Sequence, residues 1–281
     1  MKKILLLIFM LAPAGFLHAQ VDASGRGSEH VLLPNSQTKK SRSTPVLPAP
    51  GWSWGAGYEL ALPQHSFHQG MRPVHSLALQ GGLLLNGRLM LGAETSLGAY
   101  AMRSYNVAYQ AGNNKIDANV NYESIVFQGG LQGQYQIGPL RRITPFLSLR
   151  AGYTRFFSTF RVEENSLASC RVLDARTLQS DGTWYYGYGA GLRIFTGGDR
   201  GRGDFISLSA QHTQGGFVDY VNVSKLQHHD GPVPTGDGKA LQATFVNAGN
   251  REVHRHTLAE VYRNRLNLLQ IRVGYQTFIR W

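Results

Sequence analysis

The sequence is short of several things, and each shortage closes off a class of structure. It holds one cysteine, Cys170, among 281 residues, so no intramolecular disulfide can staple it. Cys170 lies in a polar stretch and reads as an incidental loop thiol. Beyond the N-terminus no apolar run approaches the ~20 residues that a transmembrane helix needs. Acidic residues are few, 17 Asp and Glu against 28 Lys and Arg, giving a formal charge of +11. Charge as a whole is sparse, at 16%. Glycine and tyrosine are plentiful instead, with 33 and 13 residues.

The first residues describe export. Met1-Lys2-Lys3 is a basic start, and Ile4 to Leu17 is an apolar stretch broken by Pro13 and Gly15. Phe16-Leu17-His18-Ala19 then offers a cleavage segment before Gln20. We read residues 1–19 as a signal peptide, too short for a membrane anchor. Its removal takes two lysines and leaves a charge of about +9. No cysteine follows the junction, which argues against a lipoprotein. Residues 20–51 are rich in Ser, Pro and Lys without apolar periodicity and read as a flexible arm.

The far end alternates. From Leu269 the odd positions are Leu269, Ile271, Val273, Tyr275, Thr277, Ile279 and Trp281; the even ones are Gln270, Arg272, Gly274, Gln276, Phe278 and Arg280. A period of two with one apolar and one largely polar face is a strand. Its length exceeds that of an ordinary soluble strand and suits one crossing a bilayer at a tilt. Eight such segments are expected: Trp52–Leu62, Val74–Leu84, Arg88–Met102, Asn119–Ile137, Ile143–Phe160, Thr183–Phe195, Asp204–Gly215 and Leu266–Trp281. The connections alternate between short (85–87, 138–142, 196–203) and long (63–73, 103–118, 161–182, 216–265). The expected fold is therefore all-β: an eight-stranded antiparallel transmembrane up-and-down β-barrel over residues 52–281, with short periplasmic turns and long extracellular loops. Both termini then fall on the periplasmic side.

Facing follows from parity. Ile125, Phe127, Leu131, Tyr135 and Ile137 share an outer face, with Gln128, Gln132, Gln134 and Gln136 opposite. Trp184, Tyr186, Tyr188, Leu192 and Ile194 face out, as do Trp52, Trp54, Tyr58 and Leu60. Trp52, Trp54 and Trp281 are placed in an aromatic girdle at the periplasmic rim. Leu83 and Leu89 both read as outward, so the first turn must hold an odd number of residues; Leu85-Asn86-Gly87 with a left-handed Gly87 meets this. The same parity sends Glu59, Glu94, Arg150, Arg193 and Arg272 inward, and buried charges must pair. A Glu–Arg network joined by Gln128, Gln132 and Gln270 is expected to fill the lumen, leaving no diffusion pore.

At this point the chain resembles the small eight-stranded outer-membrane barrels of the OmpA/OmpX type. Its Ala19/Gln20 junction and Tyr/Gly-rich strands are similar to the "outer membrane protein beta-barrel domain" proteins of Bacteroidota. The resemblance covers about Trp52 to Trp281. It implies a barrel architecture and integral placement in the outer membrane, and it implies function only weakly. The long final loop goes beyond what a purely anchoring barrel requires.

No catalytic, cofactor or metal residue is assigned. His65-Ser66 and His75-Ser76 flank the first loop, but neighbours on a strand point to opposite faces and make a poor dyad. His212 has no local acid. The final loop carries His228-His229, Arg251 and His254-Arg255-His256; the His-x-His pair suits a metal, yet a long loop leaves its geometry unspecified. These six residues are read as a candidate binding surface. Thr257-Leu258-Ala259-Glu260 resembles a capping box that opens a short helix. The expected partners are outer-membrane lipid, lipopolysaccharide phosphates and a protein subunit of an envelope secretion or assembly complex; nucleic acid has no place in this compartment. The leading reading is a non-enzymatic scaffold or interaction subunit working through its extracellular loops. The rival is a barrel enzyme acting on lipid or peptide.

Overall fold

In a computed structural model of the chain, the described residues are 50–86, 88–111, 114–137, 142–164, 172–198, 202–225, 239–246 and 253–280. Nine strands order them: β1 (Gly51–Pro63), β2 (Val74–Leu84), β3 (Leu89–Ala111), β4 (Asn114–Gln136), β5 (Ile143–Glu164), β6 (Val172–Gly197), β7 (Arg202–Val221), β8 (Lys239–Val246) and β9 (Val253–Arg280). A four-residue helix, α1 (Phe67–Gly70), stands between β1 and β2.

Sequential antiparallel neighbours pair from β1 to β7, β7 pairs with β9, and β9 pairs back onto β1. The last ladder runs from Gly51↔Arg280 to Pro63↔Leu268 and closes an eight-stranded barrel. Closure removes the sheet edges at this level, the condition under which strands can stand in lipid.

The alternation is carried through to burial. Trp184 is 74% exposed while its neighbour Tyr185 is 3% exposed. Outward-facing Leu131, Leu149, Leu79 and Ile143 are all more than half exposed, an arrangement opposite to that of a water-soluble barrel. On β6 the apolar outer file runs from Ile194 to Trp184. Those ten steps of a tilted strand rise about 25 Å, the height of a lipid-facing band.

Cross-strand glycine pairs tighten the wall. Gly130 faces Gly152 and both point inward. A Cβ on Gly152 would collide with the Gly129 carbonyl oxygen, and one on Gly130 would come 2.8 Å from Tyr185 Oη. Strands approach closely there, and the space is left to the large inward side chains.

Three elements depart from the reading of the sequence. Stretches 103–118 and 161–182, expected as loops, are mostly strand: β3 and β4 stay paired to Ala111↔Asn114, and β5 and β6 to Glu163↔Val172. The backbone ladder continues through these stretches although their sequence carries no sustained apolar alternation. The expected helix at Thr257–Glu260 is strand instead, with Glu260 opposite Ala240 of β8 and Val261 opposite Val221 of β7. The first turn is three residues long, but it lies at 86–88, one position later. Leu85 N–H donates to Leu89 O at 2.9 Å, and Asn86 Oδ1 accepts from Leu89 N at 2.8 Å. Gly87 lies outside the described residues.

Candidate functional site

The lumen is filled in three tiers, each supplied by inward positions of several strands. At the short-turn end, Leu84, Met90, Phe205 and Phe278 are buried together with Phe195 packed against them. At the opposite mouth, α1 tucks into the barrel. Phe67 is fully buried and packs on Phe156 and Tyr220, and Tyr100 meets both of those rings edge-on. The chain after β7 folds in beside it. The Val221 carbonyl accepts hydroxyls from Tyr100 at 3.0 Å and Ser124 at 2.9 Å.

Between these apolar tiers lies a charged one. Arg272 donates to Glu59 Oε2 through Nε at 2.9 Å and through Nη2 at 2.5 Å, and to Glu94 Oε2 through Nη1 at 2.8 Å. Arg150 Nη1 reaches Glu94 Oε1 at 2.9 Å. Gln270 completes the network by donating to Glu59 Oε1 at 2.7 Å and to Gln128 Oε1 at 2.8 Å. The four charges are 1–6% exposed. Two carboxylates and two guanidinium groups therefore form one neutral cluster in which each buried charge meets its opposite.

Arg193 stands apart from it, which corrects the expectation of one Glu–Arg network holding all five charges. It is 1% exposed and touches no carboxylate among the described residues. Its Nε donates to Gln276 at 3.0 Å and its Nη2 to Gln134. The guanidinium lies 4.5 Å from the ring centre of Phe146 and 5.1 Å from that of Phe278. Aromatic faces and amide oxygens, rather than an acid, hold this cation. A chain of amides continues from it: Gln134 donates to Gln132 at 2.9 Å, and Gln132 to Gln80 at 3.4 Å, so Gln132 belongs to this chain rather than to the Glu–Arg cluster it was expected to join.

The remaining candidates scatter. Trp52 and Trp54 are each 52% exposed at the short-turn end of β1. Trp281, His228, His229 and Arg251 lie outside the described residues. His254, Arg255 and His256 fall on the upper part of β9, in strand rather than loop, opposite Phe245, Thr244 and Ala243 of β8.

Two histidines sit on the outer wall near its upper aromatic belt. His75 Nδ1 is bonded to the Tyr58 hydroxyl, while Ser76 points into the lumen, 5% exposed. His212 Nε2 bonds Asn267 Oδ1 at 2.8 Å and its ring meets Tyr188 edge-on at 5.6 Å. The groups around both are phenols and amides. Neither has a hydroxyl nucleophile and a carboxylate in its described contacts, the set that acyl transfer uses.

Parity sends Trp184 outward, and the structure adds Tyr153 packed edge-on to it at 5.4 Å. Sequence reasoning missed Phe217, which lies past an irregularity in the β7–β9 register and is 63% exposed. The bulge reverses the alternation, and no local pattern announces it.

No protein-family model matches the chain, and no curated protein does. Among solved structures the chain is similar to the crystal structure of Neisserial surface protein A (NspA), at 10% identity over 82% of this chain and 96% of that one, with a TM-score of 0.38. It is also similar to Ail, the attachment invasion locus protein of Yersinia pestis, at 10% identity over 81% and 98% of the two chains, with a TM-score of 0.32. The fold itself, read from the strand ladder, is a closed eight-stranded antiparallel barrel.

Proposed function

We propose that this chain is an integral outer-membrane barrel, with its short turns toward the periplasm, and that it works without catalysis as an interaction scaffold. Its working surface is the part built by strands above the apolar band. The observation that carries this reading is the overshoot of the wall. β1 stops at Pro63 and β2 begins at Val74, yet β3 and β4 stay paired to Ala111↔Asn114. A barrel that only anchored would end all its strands at the band.

Above the closed part, two open sheets rise. One is β3–β4–β5–β6; the other is β7–β9–β8. The β6–β7 ladder ends at Tyr185↔Gly215, and the β2–β3 ladder ends at His75↔Ala99. Among the described residues β7 stays beside β6 past that point only through side-chain contacts such as Asp219 N–H to Asp181 Oδ2 at 2.7 Å, so β6 from Val172 to Ser180 has no ladder partner on its β7 side. Unpaired edges of this kind accept an added strand from another chain. The fitting partner is a protein with an extended segment, such as a neighbouring subunit of an envelope assembly. The filled lumen argues against a diffusion channel.

The test trims the extension and spares the barrel. Asn106 and Asn119 are paired, so a two-residue Asn-Gly turn joining them removes the upper β3–β4 hairpin. The trimmed protein is expected to insert and show heat-modifiable migration while losing the partner that in-cell crosslinking captures on the full chain. Unchanged capture by the trimmed, inserted protein would sink this reading.

A further inference from the structure

We infer that the outer wall over β5, β6, β7 and β9 binds the phosphorylated headgroup of an outer-leaflet glycolipid, held between Arg155 and Arg265. This rests on the membrane placement proposed above and names a ligand class for one face of the wall.

The four strands put these groups in a single rank. Arg155 of β5 is opposite Gly182 of β6. Beside it, a side chain at Gly216 of β7 would lie 2.5 Å from Thr183 Oγ1. Phe217 is opposite Arg265 of β9. The two arginines are thus about three strand spacings apart, on the order of 15 Å. That span suits two phosphates on one sugar headgroup better than a single small anion.

Both guanidinium groups are fixed at one end and open at the other. Arg155 Nε donates to Ser180 Oγ at 2.9 Å, and Arg265 Nε donates to the Gly215 carbonyl at 3.2 Å. Neither has a carboxylate within ion-pair distance among the described residues. Each keeps its terminal N–H groups for a planar, bidentate contact, the geometry in which guanidinium recognises phosphate.

The floor and flanks fit the rest of such a lipid. Gly182 makes room in the middle of the rank for the Tyr153 phenol, whose hydroxyl an added Cβ would meet. Trp184, 74% exposed, and Phe217, 63% exposed, offer ring faces to a sugar. Below them, Tyr186, Tyr188 and Leu192 form an apolar file for acyl chains.

The experiment uses the full chain in phosphatidylcholine nanodiscs, with heat-modifiable migration measured first. Diphosphorylated lipid A is then titrated in and bound lipid is counted by native mass spectrometry. One saturable lipid per barrel is expected. The variant Arg155→Gln/Arg265→Gln is expected to bind at least ~10-fold more weakly, and a fully dephosphorylated glycolipid should bind both proteins equally poorly. Equal binding by the two proteins, or equal binding of phosphorylated and dephosphorylated lipid, overturns the site while leaving the scaffold reading intact. Failure of the parent protein to insert overturns both.

Discussion

Arg272 is the centre of the buried network, and its removal has a calculable consequence. Arg272→Gln leaves Glu94 with Arg150 at 2.9 Å but leaves Glu59 with only the Gln270 amide at 2.7 Å. Glu59 is 1% exposed, so its charge has no recourse to water. Losing one member of a buried ion pair costs about 3–5 kcal/mol, most of it the desolvation of the abandoned charge. At a urea dependence of about 2 kcal/mol per molar, this lowers the unfolding midpoint of the vesicle-inserted protein by roughly 2 M. The double variant Glu59→Gln/Arg272→Gln removes both charges, and Glu94 stays paired with Arg150. It is expected to regain at least half of the loss, giving a coupling of about 2 kcal/mol in a double-mutant cycle. Urea titrations of the four proteins, read by heat-modifiable gel migration, supply the numbers. A single variant as stable as the parent, or a double variant whose loss is the sum of the singles, would refute the reasoning.

Other substitutions test separate parts of the wall. Leu131→Arg, mid-band and 72% exposed, should cost about 2–4 kcal/mol of insertion free energy, whereas Met102→Arg above the band should be neutral; equal effects would move the band. Phe67→Ala should cost about 3–5 kcal/mol yet leave planar bilayers unconducting, because the charged tier below still closes the lumen; a stable ion current in either protein would contradict the filled interior. Gly152→Val should reduce the folded fraction sharply, since its side chain meets the Gly129 carbonyl; wild-type refolding yield would show that the wall yields there.

The legible part of this protein is the part where lipid and lumen pull on alternate residues. Gln132 buried at 4% beside Leu131 exposed at 72% is a contrast that a period of two records directly in the sequence. The final strand, the inward charges and the odd-length first turn were all reached by that parity. Above the band the constraint disappears. Tyr105 to Ala111 pair with β4 through their backbone, and a ladder of backbone bonds asks for no particular order of polar and apolar residues, so the stretch looks like loop. Thr257 to Glu260 carry a local helix cue that loses to ladder hydrogen bonds, because β9 already has β8 beside it. Parity sends Arg193 inward, but its partners, the rings of Phe146 and Phe278, come from strands distant in sequence. The Arg155–Arg265 rank needed the β7 irregularity at Gln214/Phe217, which sets Phe217 outward.

The central claim is that the wall spans the outer membrane with its open sheets outside the cell. Cysteine labelling in intact cells tests it most directly, with Cys170→Ser as the background and a membrane-impermeant maleimide as the probe. Met102→Cys, on a side chain 61% exposed above the band, is expected to label in intact cells. Leu149→Cys, 68% exposed but within the band, should resist labelling even after the outer membrane is permeabilised. Gly197→Cys, where a side chain meets open space at the short-turn end, should label only after permeabilisation. Labelling of Leu149→Cys in intact cells, or an exchange of the Met102→Cys and Gly197→Cys results, would contradict the account.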